Sequence, residues 1–157
     1  MKKEKTCKIV FSDIDGTLLT SDGQITEGTK EMILNLEKKG IPFILTSARS
    51  PEGVRVIKRM LGNHAPIIAF CGGLILDDDG NEIYSKMIPL KRALELKAML
   101  DKDFPAVACN TFGGEKWIVD DRDDWREQRE EKIVGFPAEI GSIKDTFETE
   151  GGIHKFL

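Results

Sequence analysis

Three short apolar runs, at residues 7–11, 41–45 and 67–70, constrain this chain more than any other feature. Each is rich in β-branched or aromatic residues, the pattern of a buried strand. Between the first two, Thr26 is placed to cap a helix, with Glu27 favourable in its first turn. Met32, Ile33 and Leu36 recur at helical spacing, and Gly40 is placed to end the helix. Between the second and third runs, Ser50 reads as an N-cap with Pro51 at the first helical position. Val54, Ile57 and Leu61 mark that helix's buried face, and Gly62 closes it. The order β-α-β-α-β with short crossovers calls for parallel strands. The expected fold class is therefore α/β, a doubly wound parallel sheet, in which ligands bind beyond the carboxyl ends of the strands.

Chemistry-bearing residues follow two of those strand ends. After the first run come Asp13-Ile14-Asp15-Gly16-Thr17-Leu18-Leu19. In an extended chain, carboxylates at i and i+2 share one face. Their mutual repulsion favours a bound cation or a shared proton. A hard ion such as Mg²⁺ takes one or two carboxylates together with substrate phosphate oxygens. An ionised Asp can also act as a nucleophile, and a second one can pass a proton. Gly16 permits a sharp turn, and Thr17 can hold it through its hydroxyl. After the second run come Thr46-Ser47-Ala48-Arg49. A hydroxyl and backbone N–H groups ahead of a helix N-terminus can hold a phosphate oxygen. If the first two strands are neighbours, both groups converge on one crevice.

The Asp-x-Asp-Gly-Thr-Leu-Leu stretch resembles the first motif of the haloacid dehalogenase (HAD) superfamily of phosphohydrolases. The resemblance implies that Asp13 is the phosphoryl-accepting nucleophile and Asp15 the general acid/base. It implies Mg²⁺ held by the Asp13 carboxylate and the Asp15 backbone carbonyl. The stretch around Ser47 resembles the second HAD motif. In the Cof-type sugar-phosphatase branch that motif usually reads Thr-Gly-Arg. Aligned on Arg49, Ser47 supplies the hydroxyl and Ala48 replaces the glycine. Thr17, Ser47, Ala48 and Arg49 are thus the expected substrate-binding residues. Cys71-Gly72-Gly73 stands where the branch has Asn-Gly-Ala, so a contact from that Asn is lost. Cys71 itself is expected as a buried free cysteine.

From about residue 86 the pattern changes. Residues 90–100 read as an amphipathic helix, 106–111 and 116–119 as strands, and 120–132 as a charged surface helix. Residues 142–147 read as another helix and 153–157 as the start of a strand. This mixture implies an α+β unit. By resemblance it is the Cof-type cap, which closes over the crevice and selects the substrate. The expected division is 1–85 for an incomplete core of three strands and 86–157 for a partial cap. Trp117 and Asn110 are weighed as crevice-facing, core or surface residues. Asp77-Asp78-Asp79-Gly80-Asn81 reads as a solvated hairpin tip.

Composition narrows the function further. A net charge of -4 gives no case for nucleic acid as a partner. The three cysteines are widely spaced, and the two histidines have no companion ligands nearby, so zinc and disulfide frameworks have nothing to build on. No apolar run is long enough to cross a membrane, and no signal-peptide pattern precedes Ile9. A cytoplasmic location is expected.

The family's third-motif Lys and Asp-rich fourth motif have no counterpart here. Lys155 fits a cap strand and is not assigned to the third motif. The first strand is then expected to carry an unpaired edge, through which the chain could associate with itself. The expected activity is Mg²⁺-dependent hydrolysis of small phosphomonoesters, sugar phosphates or similar metabolites, through an aspartyl-phosphate. The alternatives are a catalytically incomplete fragment or phosphate-binding protein, and a phosphomutase of the same superfamily.

Overall fold

The first strand, β1 (Val10–Asp13), runs parallel to β2 (Phe43–Thr46), which runs parallel to β3 (Ile67–Ala69). This is a computed structural model, and it describes residues 7–157. A hairpin, β4 (Leu74–Leu76) and β5 (Glu82–Ser85), extends the sheet antiparallel, giving the spatial order β1-β2-β3-β4-β5. Helix α1 (Glu27–Lys38) links β1 to β2, and α2 (Pro51–Leu61) links β2 to β3. Their ends form as the sequence indicates. Thr26 Oγ1 accepts the Thr29 N–H at 3.2 Å, and Ser50 Oγ accepts the Gly53 N–H at 3.4 Å. Gly62 closes α2 in the left-handed region, at φ 66°.

One face of the sheet carries the core. Phe43, Leu45, Ile67, Ala69, Leu74 and Leu76 pack with Ile33 of α1 and Val54, Ile57 and Leu61 of α2. Strand alternation sends Phe11, Ile44, Ile68, Ile75 and Tyr84 to the other face. There Phe11 is 56% exposed and Tyr84 49%.

The remaining residues build a second α+β unit. Strand β6 (Ile88–Pro89) leads into α3 (Leu90–Asp103). The hairpin β7 (Thr111–Gly113) and β8 (Lys116–Val119) follows, then α4 (Trp125–Val134), β9 (Glu139–Ile140) and α5 (Ile143–Phe147). Strands β10 (Gly152–Ile153) and β11 (Lys155–Phe156) end the unit. One sheet has the order β11-β7-β8-β9, and β10 pairs β6.

Several expectations need correction. The first strand is not the buried run 7–11. It begins at Val10 and ends on Asp13, and Cys7 is exposed outside it. Residues 106–110 form a loop, because Pro105 and the turn around it interrupt the run; the strand covers only Thr111–Gly113. The charged helix starts at Trp125, since Asp124 caps it by accepting the Arg126 N–H at 2.8 Å. Residues 152–156 form two two-residue strands rather than one, split at His154. Trp117 and Asn110 are both buried, and Trp117 Nε1–H donates to Asn110 Oδ1 at 2.8 Å.

The two units meet through specific pairs. Arg55 of α2 makes a bidentate pair with Glu115 in the β7–β8 turn, at 2.6 and 2.7 Å. His154 stacks on Phe70 with ring centroids 5.0 Å apart. Its Nδ1 accepts the Gly114 N–H at 3.0 Å, so the ring proton sits on Nε2, 3.1 Å from Ser85 Oγ.

Candidate active site

The register of β1 and β2 places Asp13 opposite Thr46. Both strands end there, so the acidic stretch and the Ser47 loop emerge side by side. The chain leaves β1 through a turn over Ile14–Leu18, in which Gly16 takes φ 76°. Ile14 is fully buried while Asp13 and Asp15 on either side of it are exposed. The alternation therefore holds across the strand end, and both carboxylates face solvent. Asp13 Oδ2 accepts a hydrogen bond from Thr17 Oγ1–H at 3.4 Å.

Asp15 has a different partner. Arg49 Nε and Nη2 donate to its two carboxylate oxygens at 2.9 and 2.7 Å. These hydrogen bonds hold the Asp15 carboxyl below its ordinary range; burial opposes the shift and the guanidinium charge adds to it. The same contact raises Arg49. Sequence reasoning placed Arg49 on the substrate, whereas here its fork is occupied by Asp15.

Ser47 is 5% exposed, and its Oγ accepts the Arg49 N–H at 3.1 Å. That bond curls the loop and leaves the hydroxyl proton free to donate. The turn after β3 locks onto the same loop. Phe70 N–H donates to Arg49 O at 3.0 Å, and Cys71 N–H to Ser47 O at 2.9 Å. To reach these carbonyls, Phe70 and Cys71 adopt φ 50° and 56°, the left-handed region that non-glycine residues rarely enter. Two strained residues in sequence are held only because hydrogen bonds over-determine them. This conformation also turns Cys71 outward: it is exposed, not the buried cysteine expected.

The donors near β1 suit a hard cation. Asp13 keeps carboxylate lone pairs beyond its single bond from Thr17, and oxygen ligands of this kind fit Mg²⁺, which completes its shell with water and phosphate oxygens. Among the described residues, no cluster of three or more His, Cys, Asp or Glu side chains could hold a metal ion. The fit therefore rests on Asp13 and on groups beyond side-chain carboxylates.

A cavity of about 250 Å³ opens between the two units beside this centre. Asp15, Arg49, Glu130, Phe112 and Lys155 are among its walls. Lys155 Nζ donates to Ala48 O at 3.3 Å and lies 5.5 Å from the Phe112 ring centroid. No local pattern signals this, because Lys155 is 107 positions from Ala48.

Residues 10–157 match the family of haloacid dehalogenase-like hydrolases. A Haemophilus influenzae protein provisionally named a phosphatase is 36% identical over 124 residues, 73% of this chain and 47% of its own length. The phosphoglycolate phosphatase of Thermoplasma volcanium is 36% identical over 74 residues, 47% of this chain and 33% of that protein. A solved haloacid dehalogenase-like hydrolase from Bacteroides thetaiotaomicron aligns with a TM-score of 0.79 at 20% identity, over 90% of this chain and 54% of that one. A solved HAD subclass IIB sugar phosphatase aligns with a TM-score of 0.72 at 18% identity, over 93% and 56%. The chain thus spans about half the length of the relatives it matches. No helix among the described residues is long and apolar enough to cross a membrane.

Proposed function

The chain belongs to the haloacid dehalogenase-like hydrolases, and from that membership we propose that it carries the nucleophile of a Mg²⁺-dependent phosphatase for small phosphomonoesters, sugar phosphates or similar metabolites. A cytoplasmic setting is part of the same reading. The observation that supports it is the pairing of Asp13 with Thr46, which sets two exposed carboxylates beside the Ser47 loop at neighbouring strand ends.

Each residue then has a role. The Asp13 carboxylate attacks phosphorus, forming an aspartyl-phosphate as the bond to the leaving oxygen breaks. Asp15 gives that oxygen a proton and later takes one from the attacking water, which releases phosphate and restores Asp13. Thr17 orients Asp13, while Ser47, the Ala48 N–H and Arg49 bind phosphate oxygens. Bound Mg²⁺, held by the Asp13 carboxylate and the Asp15 backbone carbonyl, would offset the repulsion between an ionised nucleophile and a phosphate dianion. The Arg49 pair keeps Asp15 ionised, as the base role requires. The acid role requires the guanidinium to leave Asp15 for the phosphate.

A second reading, phosphate binding without turnover, is favoured by that same ion pair and by the absence of a three-ligand cluster among the described residues. Phosphate release from an aryl phosphate separates the two. The phosphatase reading expects release that depends on Mg²⁺ and is lost in Asp13→Asn. Release that survives Asp13→Asn removes the nucleophile assignment, and no release with intact phosphate binding supports the second reading.

A further inference from the structure

We propose that the second unit carries a binding site for an aliphatic ammonium compound, in a cavity between the loop after α3 and the loop before α4, with the buried carboxylate of Glu127 as its anchor. Asp13, Asp15 and Ser47 do not line this cavity, and the site does not depend on the phosphatase reading.

The two loops come together because Arg126 spans them. Its Nη1 donates to Ala106 O at 2.6 Å, and its Nε and Nη2 donate to the Asp124 carboxylate at 2.9 and 2.6 Å. The cavity beside this brace has a volume of about 260 Å³. Phe104, Pro105, Val107 and Ala108 supply apolar wall. Five carboxylates line it as well, those of Asp101, Asp120, Asp121, Asp124 and Glu127.

The charge of those carboxylates is under-compensated. One lysine, Lys97, is shared between Asp101 and Asp120 at 2.6 and 2.8 Å, and Arg126 serves Asp124. Asp121 and Glu127 form no ion pair among the described residues; Asp121 Oδ1 accepts the Asp123 N–H at 2.8 Å. Glu127 is the more demanding of the two. It is 2% exposed, and its Oε2 is buried without a hydrogen bond. Burial pushes its carboxyl above the ordinary range, Asn110 opposes the shift, and Asp124 and Asp120 add to it. A buried acceptor left without a partner is costly, and a donor that also brings positive charge relieves it most.

The spacing of the carboxylates selects the kind of cation. A hard metal ion needs several oxygens within about 2.0–2.6 Å of one point. Among the described residues no cluster of three or more His, Cys, Asp or Glu side chains could hold one. An ammonium stands about 2.7–2.9 Å from each oxygen and offers three N–H donors, so a wider ring of acceptors suits it. An aliphatic amine also carries a hydrocarbon chain, for which Phe104, Pro105 and Val107 provide contact.

Calorimetric titration of the full chain at pH 7.5 tests this with 1-aminopentane and 1-pentanol, which share a carbon chain and differ in the ammonium. The site predicts that the amine binds tighter than the alcohol by about tenfold or more, the range for a hydrogen bond to a charged group. Glu127→Gln, which keeps the shape and removes the charge, should abolish that ratio. Asp121→Asn should reduce it, while Asp123→Asn, outside the cavity, should leave it unchanged. ¹H–¹⁵N spectra verify the fold of each variant, and Asp121→Asn with its Asp123→Asn control carries the test if Glu127→Gln does not fold. Absence of amine binding, equal affinity for amine and alcohol, a ratio that survives Glu127→Gln, or equal losses in Asp121→Asn and Asp123→Asn overturns the site. Calcium chloride is the third probe: Ca²⁺ binding that Glu127→Gln removes, in a chain that does not bind the amine, assigns the carboxylates to a metal and overturns the ammonium reading.

Discussion

Asp15 shows how one side chain carries information that its neighbours in sequence do not. Spacing alone puts it on a face with Asp13, where two carboxylates repel and invite a cation. The cation that arrives is Arg49, 34 positions away and held at 2.7 and 2.9 Å. The pair is more than half open to solvent on the Asp15 side, so its main consequence is for protonation and not for stability. The sign is definite. Arg49 lowers the Asp15 pKa, so Arg49→Met should raise it toward the ordinary value of about 3.9. Carboxyl-carbon NMR of the Asp15 resonance through an acid titration would measure this. An Asp15 midpoint unchanged by the substitution would mean that the guanidinium does not sit on the carboxylate in solution.

Among the elements, β1 is the most exposed to consequence. It pairs with β2 on one side, and among the described residues nothing pairs with its other side. Phe11 stands 56% exposed on the sheet face, and Ile9 just before the strand is 43% exposed. Beside the same edge, Leu18, Met32, Leu36 and Phe43 line a cavity of about 490 Å³. An open strand edge with apolar neighbours is a template for another strand. We therefore expect this chain to self-associate through β1. Light scattering should give a mass above 17.6 kDa that rises with concentration. Phe11→Lys should return it toward the monomer, since a lysine there blocks edge pairing by charge. A monomer at all concentrations would exclude the contact.

The joint between the two units predicts a pH response of the entire fold. His154 lies on it, stacked on Phe70, accepting from Gly114 and bonded to Ser85. Burial lowers its pKa in the folded state. The unfolded chain therefore takes up this proton at higher pH than the folded chain does. Stability from this residue is complete above the unfolded value of about 6.5 and declines as the pH falls below it. A proton on Nδ1 would also remove the acceptor that Gly114 uses. Urea midpoints should accordingly drop between pH 7.5 and pH 5, and the drop should shrink in His154→Gln. An equal drop in both would assign the pH response to other groups.

How far the sequence was legible follows from the range of each interaction. Caps and helix ends were legible at Thr26, Ser50, Pro51 and Gly62, because each is set by bonds within four residues. The parallel order of β1, β2 and β3 was legible too, since short helical crossovers leave few other arrangements. The same locality made Asp13, Asp15 and Ser47 readable as a group, and the register that brings their strand ends together agrees with that reading. The 106–111 run was misread, because apolar composition does not report the turn that Pro105 and its neighbours make. Cys71 was misread as buried for a related reason. Its left-handed backbone is imposed by carbonyls of Ser47 and Arg49, more than 20 positions earlier. Only the folded chain could bring Arg49 onto Asp15, His154 between Phe70, Ser85 and Gly114, and Lys155 onto the Ala48 carbonyl. Sequence alone therefore determines the capped helices, the parallel order of the first three strands and where the acidic and hydroxyl residues stand beyond their ends. The packing of one unit on the other decides which charges meet, because those contacts join residues that no local pattern connects.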